Sequence, residues 1–381
     1  MRPAQILPSA RRWRVAATLG LALLLAACSS GSRRPDPAPL PPDPARLQVR
    51  EAWSLTFGPM DLALSLRAVE RRVALASRDG QVALLDAQTG QTLWRVALEQ
   101  PLLAGAGHDG QTVAVVTRDN ELVALRDGRE SWRQRLNAAS YTAPLVAGAR
   151  VFVLGADRSI SAFDGASGRR LWTQTRSGEP LVLREPGLLM AVGDTLVAGI
   201  GARLTGLQPG NGAARWEVPV ATPRGTNDVE RLVDLVAGVA RQGDEVCVRA
   251  FQSAVACVDA GRGVLLWSRA ASGASGLAGD GQLVFGTEFD GTLQAWRRRD
   301  GERAWSMTQL RFHRLGTPVL AGGWLVVGDE SGRLHFFSPA DGALQTRVQL
   351  DGTAIAAAPV LAGDTLVAVT RGGRVVGLRT P

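Results

Sequence analysis

The sequence contains no lysine. All 43 of its basic residues are arginine, set against 35 acids, giving a formal charge of +8. Arginine titrates above about 12, so an all-arginine chain inflates its own isoelectric point, and the charge must be located before it indicates a nucleic-acid partner. Histidine and cysteine are also scarce, at three each. His108, His313 and His335 fall in three different stretches, and no His/Cys cluster has metal-ligand spacing. No Gly-Lys-Ser phosphate loop, no Gly-x-Ser-x-Gly elbow and no Ser, His and Asp grouping is present, so nucleotide hydrolysis and serine-hydrolase chemistry have no residues to carry them. The N-terminal apolar run spans 13 residues, against about 20 for a membrane-spanning helix. With 45% hydrophobic and 20% charged residues in 381, the composition is that of a globular protein, with ample chain for a core.

What is there begins with a processing signal. Residues 1–27 hold Arg2, Arg11, Arg12 and Arg14 and no acid, followed by the apolar run Val15–Ala27. Such a basic segment before a short apolar one has the form of a secretory signal peptide. It ends in Leu25-Ala26-Ala27-Cys28, which resembles the bacterial lipoprotein box, where the cysteine is lipidated and the peptide cut before it. The alternatives are an uncleaved anchor or an ordinary Ala-x-Ala cleavage. Three acyl chains on Cys28 would exceed the two signals needed for stable anchoring. In that class of lipoproteins an Asp after the cysteine retains the protein in the inner membrane. Ser29 stands here, which implies the outer membrane, facing the periplasm. Residues 28–48 are expected to form a tether: six of the ten residues from Pro35 to Pro44 are proline, which favours extended polyproline II.

From residue 49 the chain repeats. One unit reads Val73–Ser77, Arg78-Asp79-Gly80, Gln81–Asp86, Gln88-Thr89-Gly90, then Gln91–Trp94. Asp-Gly and Thr-Gly between apolar runs are hairpin signals, because those turns need positive φ. The tryptophans at 53, 94, 132, 172, 216, 267 and 305 are 41, 38, 40, 44, 51 and 38 residues apart. A period near 40 with four short strands is the size of a propeller blade. The last copy stops before its final strand, whereas Trp53 has no strands before it. The expected fold is therefore all-β: an eight-bladed propeller over 49–381, four antiparallel strands per blade, closed by an N-terminal strand. The repeated tryptophan is assigned to packing between blades, with Arg347 standing in its place in the seventh copy. Cys247 and Cys257 flank a hairpin and face one another, either as a disulfide or as two buried thiols. Arg297-Arg298-Arg299 is expected as a solvated turn.

The repeat resembles that of pyrroloquinoline-quinone enzymes, which also occurs in non-catalytic propellers. Among these, the lipobox, tether and eight blades together resemble the BamB family of outer-membrane lipoproteins. The most specific stretch is His313–Leu320, continuing through Leu325–Asp329 to Gly332–His335. Leu181-Val182-Leu183-Arg184 matches that family's Leu-x-Leu-Arg loop. Glu230–Val236 matches its Asp-Arg-Leu-x-Asp-x-Asp loop, with Val236 in place of the second Asp. The resemblance implies a non-enzymatic scaffold in outer-membrane protein assembly. It also implies that Leu181, Leu183, Arg184, Arg231 and Asp234 bind the central barrel subunit, and that unfolded outer-membrane proteins are further partners. The bottom-up reading is compatible: the 51-residue gap between Trp216 and Trp267 holds an inserted loop, Pro223–Gly238, and such loops carry binding. The plainer alternative makes Leu181 and Leu183 one buried strand face.

Two other functions compete. A quinoprotein dehydrogenase would need a quinone pocket, calcium and, in many members, a vicinal cysteine pair. Cys247 and Cys257 are ten positions apart, and no acid and Asn cluster suits calcium. No cofactor or metal is therefore expected. The other is a ligand-binding lipoprotein with a different partner, separated from the scaffold only by the two loop motifs. The charge resolves without nucleic acid. Removing residues 1–27 leaves 39 arginines against 35 acids, dispersed blade by blade.

Overall fold

A computed structural model describes residues 35–61, 64–176, 181–223, 226–228 and 231–381. Cys28, the signal segment and the start of the tether lie outside the described residues. The chain divides into two compact units, Met1–Pro37 and Ala38–Pro381.

Among the described residues, the second unit holds 32 strands in eight four-stranded antiparallel sheets. Blade 1 is typical: Ala68–Val69, Arg72–Ala76, Gln81–Asp86 and Thr92–Ala97, paired in chain order from the centre outward. Seven blades follow this order. The eighth is built from Val360–Ala362, Thr365–Val369 and Arg374–Arg379, with Arg50–Thr56 added as its outermost strand. The innermost strand of blade 8 neighbours that of blade 1, which completes the ring. This is the eight-bladed propeller expected from the repeat.

The central two strands of each blade are continuous apolar runs because both of their faces are covered. Val73, Leu75, Ala83 and Leu85 of blade 1 pack on Val367, Val369 and Val375 of blade 8, and equivalent clusters fill the other wedges. Burial of this kind, at about 25 cal/mol per Å² of apolar surface, is the main favourable term. The outer strands mix exposed and half-buried residues, since water reaches one face.

The tryptophans have a specific seat. In each outer hairpin a one-residue bulge precedes the tryptophan, as between Leu84 and Leu85 opposite Trp94. A bulge of this kind re-aims the next side chain. Each indole then lies on the turn glycine of the following blade: Trp53 on Gly90, Trp94 on Gly128, Trp132 on Gly168, and so on to Trp305 on Gly342. Most of these indoles also donate Nε1–H to a backbone carbonyl there, for example Trp132 to Gly165 at 2.9 Å and Trp305 to Pro339 at 2.9 Å. The closing strand reproduces the whole arrangement, with a bulge between Glu51 and Trp53 and a bond from Trp53 to the Ala87 carbonyl at 2.8 Å.

The seventh blade corrects one expectation. Register places Thr346, not Arg347, opposite Phe336 in the tryptophan position. Blade 8 offers no covalent outer turn for an indole to cover, because its last two strands come from opposite ends of the chain. Residues before Arg50 occupy this junction instead. Asp43 accepts from Thr346 Oγ1 at 3.4 Å and from the Arg347 amide at 3.3 Å, and Arg347 donates to the Pro41 carbonyl at 2.6 Å. Leu47 is buried among Phe336, Ala368 and Val376. From Ala38 onward, the proline-rich segment expected as a tether thus lies against blades 6, 7 and 8.

Cys247 and Cys257 are direct cross-strand partners in blade 5, both fully buried, and are joined as a disulfide. Arg298, expected in a solvated turn, is buried. Its guanidinium reaches back from blade 6 to Glu245 at 3.1 Å and the Asp280 carbonyl at 2.6 Å, and its own carbonyl receives Trp267 Nε1–H at 2.6 Å. Only its neighbours Arg297 and Arg299 are surface residues, paired with Asp300.

Three predictions follow from this packing. Peptides containing Cys247 and Cys257 should appear linked in non-reducing mass spectrometry, and two free peptides would reject the bridge. Gly168→Ala places a Cβ 2.6 Å from the Trp132 ring at a φ of +72°. It should destabilise the fold by about 1–3 kcal/mol in urea denaturation; an unchanged midpoint would contradict the seat described. Lastly, His108 is buried, with Nε2 bonded to the Arg67 carbonyl at 2.8 Å. Burial holds its imidazole below the ordinary value; the Arg67 and Arg72 charges add to this, and the Arg67 bond and Asp109 oppose it. The unfolded chain therefore binds the proton more readily. This stabilisation is complete above about pH 6.5 and is lost as pH falls below it, by up to about 1.4 kcal/mol per unit. Denaturation midpoints at pH 7.5 and 5.5 should differ less in His108→Gln than in the parent.

Candidate docking face

Strands alternate in direction, so the blade-to-blade connections and the hairpins between second and third strands share one face of the ring. Four such segments meet at blades 3 to 5. They are Tyr141-Thr142 before blade 3, the Arg158 hairpin within it, the 181–188 connection, and the 231–234 stretch leading into blade 5.

Asp234 ties them together. Its Oδ2 accepts the Leu183 amide at 2.8 Å, and its Oδ1 accepts Arg158 Nη1 at 3.3 Å. Arg158 Nη2 in turn donates to the Leu181 carbonyl at 2.8 Å. The two side chains are only 9% and 16% exposed, so the pair is shielded from bulk screening. One carboxylate and one guanidinium thus fix the backbone on both sides of Val182. Leu181 is left 40% exposed. Leu183 is half-buried and lines a cleft with Tyr141, Leu154, Arg158 and Ile200. The exposed Arg184 guanidinium lies over the Tyr141 ring, 5.3 Å from its centroid, in a cation–π contact.

The five residues singled out from the sequence therefore divide. Leu181, Leu183, Arg184 and Asp234 converge on one place. The Arg231 amide is bonded to the Asn227 carbonyl at 3.1 Å, and its guanidinium lies 2.7 Å from Asp228. The inserted loop is shorter than expected. A strand begins at Leu235, and Val236 is buried within it, bridged to Gly187. Valine at that position is thus a core residue. An irregularity between Val236 and Ala240, with Gly238 at φ +94°, lets this strand pass close to Gly276 of blade 6.

Arg158 and Tyr141 escaped the sequence reading. A signal for Arg158 existed. The first hairpin turn carries Gly80, Asn120, Gly291 and Gly332 at its positive-φ position in other blades, and Arg158 sits there at +61°. An arginine at such a position costs energy that a local glycine avoids, which points to a role for its side chain.

One titratable cluster forms on the same face although its members are far apart in sequence. His313, from the connection into blade 7, meets Asp329 and Glu330 at that blade's hairpin. His335 donates to Asp329 at 2.9 Å.

The profile described as Outer membrane protein assembly factor BamB matches residues 78–307 and 310–380. The BamB of Burkholderia pseudomallei (strain K96243) is 36% identical over 362 residues, covering 94% of this chain and 95% of that protein. The BamB of Bordetella pertussis (strain Tohama I) is 32% identical over 376 residues, covering 97% of each. Among solved structures, BamB from Moraxella catarrhalis superposes with a TM-score of 0.79 at 23% identity, over 87% of this chain and all of that one. A quinohemoprotein alcohol dehydrogenase from Pseudomonas putida HK5 reaches 0.65 at 13% identity, over 87% of this chain and 76% of that one, and shares the fold alone. The relatives that match over nearly the full length are assembly factors and not enzymes, and this chain belongs to the BamB family of outer membrane protein assembly factors.

Proposed function

We propose that the chain is a lipoprotein scaffold that binds the central barrel subunit of the outer-membrane assembly machinery through the loop 181–184. One observation carries this reading: the Asp234–Arg158 pair holds that loop's backbone so that Leu181 and Arg184 face outward. A loop already fixed before binding loses little conformational entropy on docking. An arginine stacked on an aromatic ring beside an exposed leucine has the make-up of an interface anchor. The partner surface that fits is a periplasmic one, with an apolar recess for Leu181 and a carboxylate for Arg184.

The remaining steps rest on family membership and sequence. Cys28 is the lipid attachment point, and the protein sits at the outer membrane facing the periplasm. The propeller helps unfolded barrels fold and insert, and needs no cofactor to do so. A quinoprotein activity finds no support at the cysteines: Cys247 and Cys257 are buried in the wedge between blades 5 and 6, among Trp267, Leu277 and Trp296.

The test is affinity purification from detergent-solubilised outer membranes. Leu181→Ala combined with Arg184→Ala should lower recovery of the barrel subunit at least tenfold without moving the thermal midpoint. Undiminished recovery would refute the docking assignment. Asp234→Ala should reduce recovery and also cost about 1–3 kcal/mol of stability, since it leaves the Leu183 amide unpaired and removes the carboxylate that balances the buried Arg158 charge.

A further inference from the structure

The His313–Leu320 stretch is the most specific part of the sequence and lies outside the docking loop. Its histidine is 6% exposed and sits where the connection into blade 7 crosses the Asp329–Gly332 hairpin. Its Nε2 lies 2.9 Å from the carbonyl of Ala38. A carbonyl only accepts, so the proton of a neutral ring is on Nε2, and Nδ1 carries a lone pair. That Nδ1 is buried and has no hydrogen-bond partner. It faces Glu330 Oε1 at 3.8 Å, and one donor atom from each of His313, Asp329 and Glu330 lies within 4.8 Å of the other two. A buried lone pair pointed at two carboxylates is repulsive unless a cation lies between them.

We propose that His313 Nδ1, Asp329 and Glu330 bind a divalent transition-metal cation of the zinc type. The donor set of one imidazole and two carboxylates suits zinc. Tetrahedral zinc places two such donors about 3.4 Å apart, so the His313–Glu330 separation must close by a few tenths of an ångström. The surrounding bonds are those of an oriented ligand set. Ala38 fixes the tautomer of His313. His335 donates to Asp329 Oδ2 at 2.9 Å, while the amides of Ser331 and Arg333 donate to Oδ1 at 2.8 and 2.9 Å. The Arg314 amide donates to Glu330 Oε2 at 2.7 Å, which leaves Oε1 for the metal. Arg333, 3.8 Å from Asp329, and Arg347 both act on that carboxylate. The free Oε1 of Glu330 and the unpaired Nδ1 of His313 are what remain for a metal. Asp329 and Glu330 line the central channel, and water from it completes the coordination. Because the same imidazole holds Ala38, the metal also fastens the start of the segment that runs along blade 7.

The test uses the full lipoprotein in detergent, stripped with EDTA and titrated with zinc chloride by calorimetry at pH 7.5. Zinc retained after gel filtration is counted by elemental analysis. One zinc per chain is expected. Glu330→Gln should weaken binding at least tenfold, His313→Gln should abolish it, and His108→Gln should leave it unchanged. Failure of the parent to retain stoichiometric zinc would overturn the proposal. Parent-like affinity in Glu330→Gln would overturn it as well. Glu330 is partly exposed and caps no core, so that variant decides the question even if His313→Gln does not fold.

Discussion

The indole that leaves one blade and lies on the turn glycine of the next is the contact on which the ring depends. It couples two features of the repeat that look independent in sequence, the tryptophan at the end of one copy and the glycine in the following one. The glycine adopts positive φ and also leaves no Cβ in the path of the ring, so one residue meets a backbone need and a packing need together. The bulge before each tryptophan sets the aim. Where this contact repeats, neighbouring blades keep a fixed register, and loops on the opposite face are held at fixed separations. A docking loop and its Asp234 clamp come from different blades, so their meeting is a consequence of that register.

The seventh-to-eighth junction shows what replaces the contact when the chain has two ends there. No glycine turn is available, and the tryptophan position is filled by Thr346. Asp43, Pro41 and Leu47 take up the space through hydrogen bonds and burial. Proline-rich backbone suits this task. Prolines have no N–H to form regular strand or helix bonds, so the segment's carbonyls can accept from Arg347 and His313. The same composition that reads as a spacer in sequence therefore serves as a strap once acceptors and donors are set opposite one another.

The fold was legible because it is periodic: hairpin signals, tryptophan spacing and complementary chain ends each reported the same eight-fold repeat. The details that were missed are those that a repeat cannot encode. Thr346 against Arg347 is a one-residue register question, decided by a bulge. Arg298 was placed in water because three adjacent arginines look solvated, yet the middle one turns inward to a carboxylate in the neighbouring blade. His313, Asp329 and Glu330 lie on two connections with two strands between them, a separation that no ligand-spacing pattern covers. Arg158 was the exception, since a long charged residue where most other copies place Gly or Asn breaks the pattern at the functional face.

The Asp234 carboxylate also changes how the loop motif is to be understood. Both its oxygens are engaged within the chain, one by a backbone amide and one by a buried guanidinium. At only 16% exposed, this carboxylate is poorly placed to meet an arginine on a partner, so its role is to position, and recognition falls to Leu181 and Arg184. A buried ion pair of this kind adds little net stability because desolvation offsets the attraction. What it provides is a single geometry for a segment with no strand of its own. The positive φ at Arg158 is then the local strain through which a rigid docking loop is obtained.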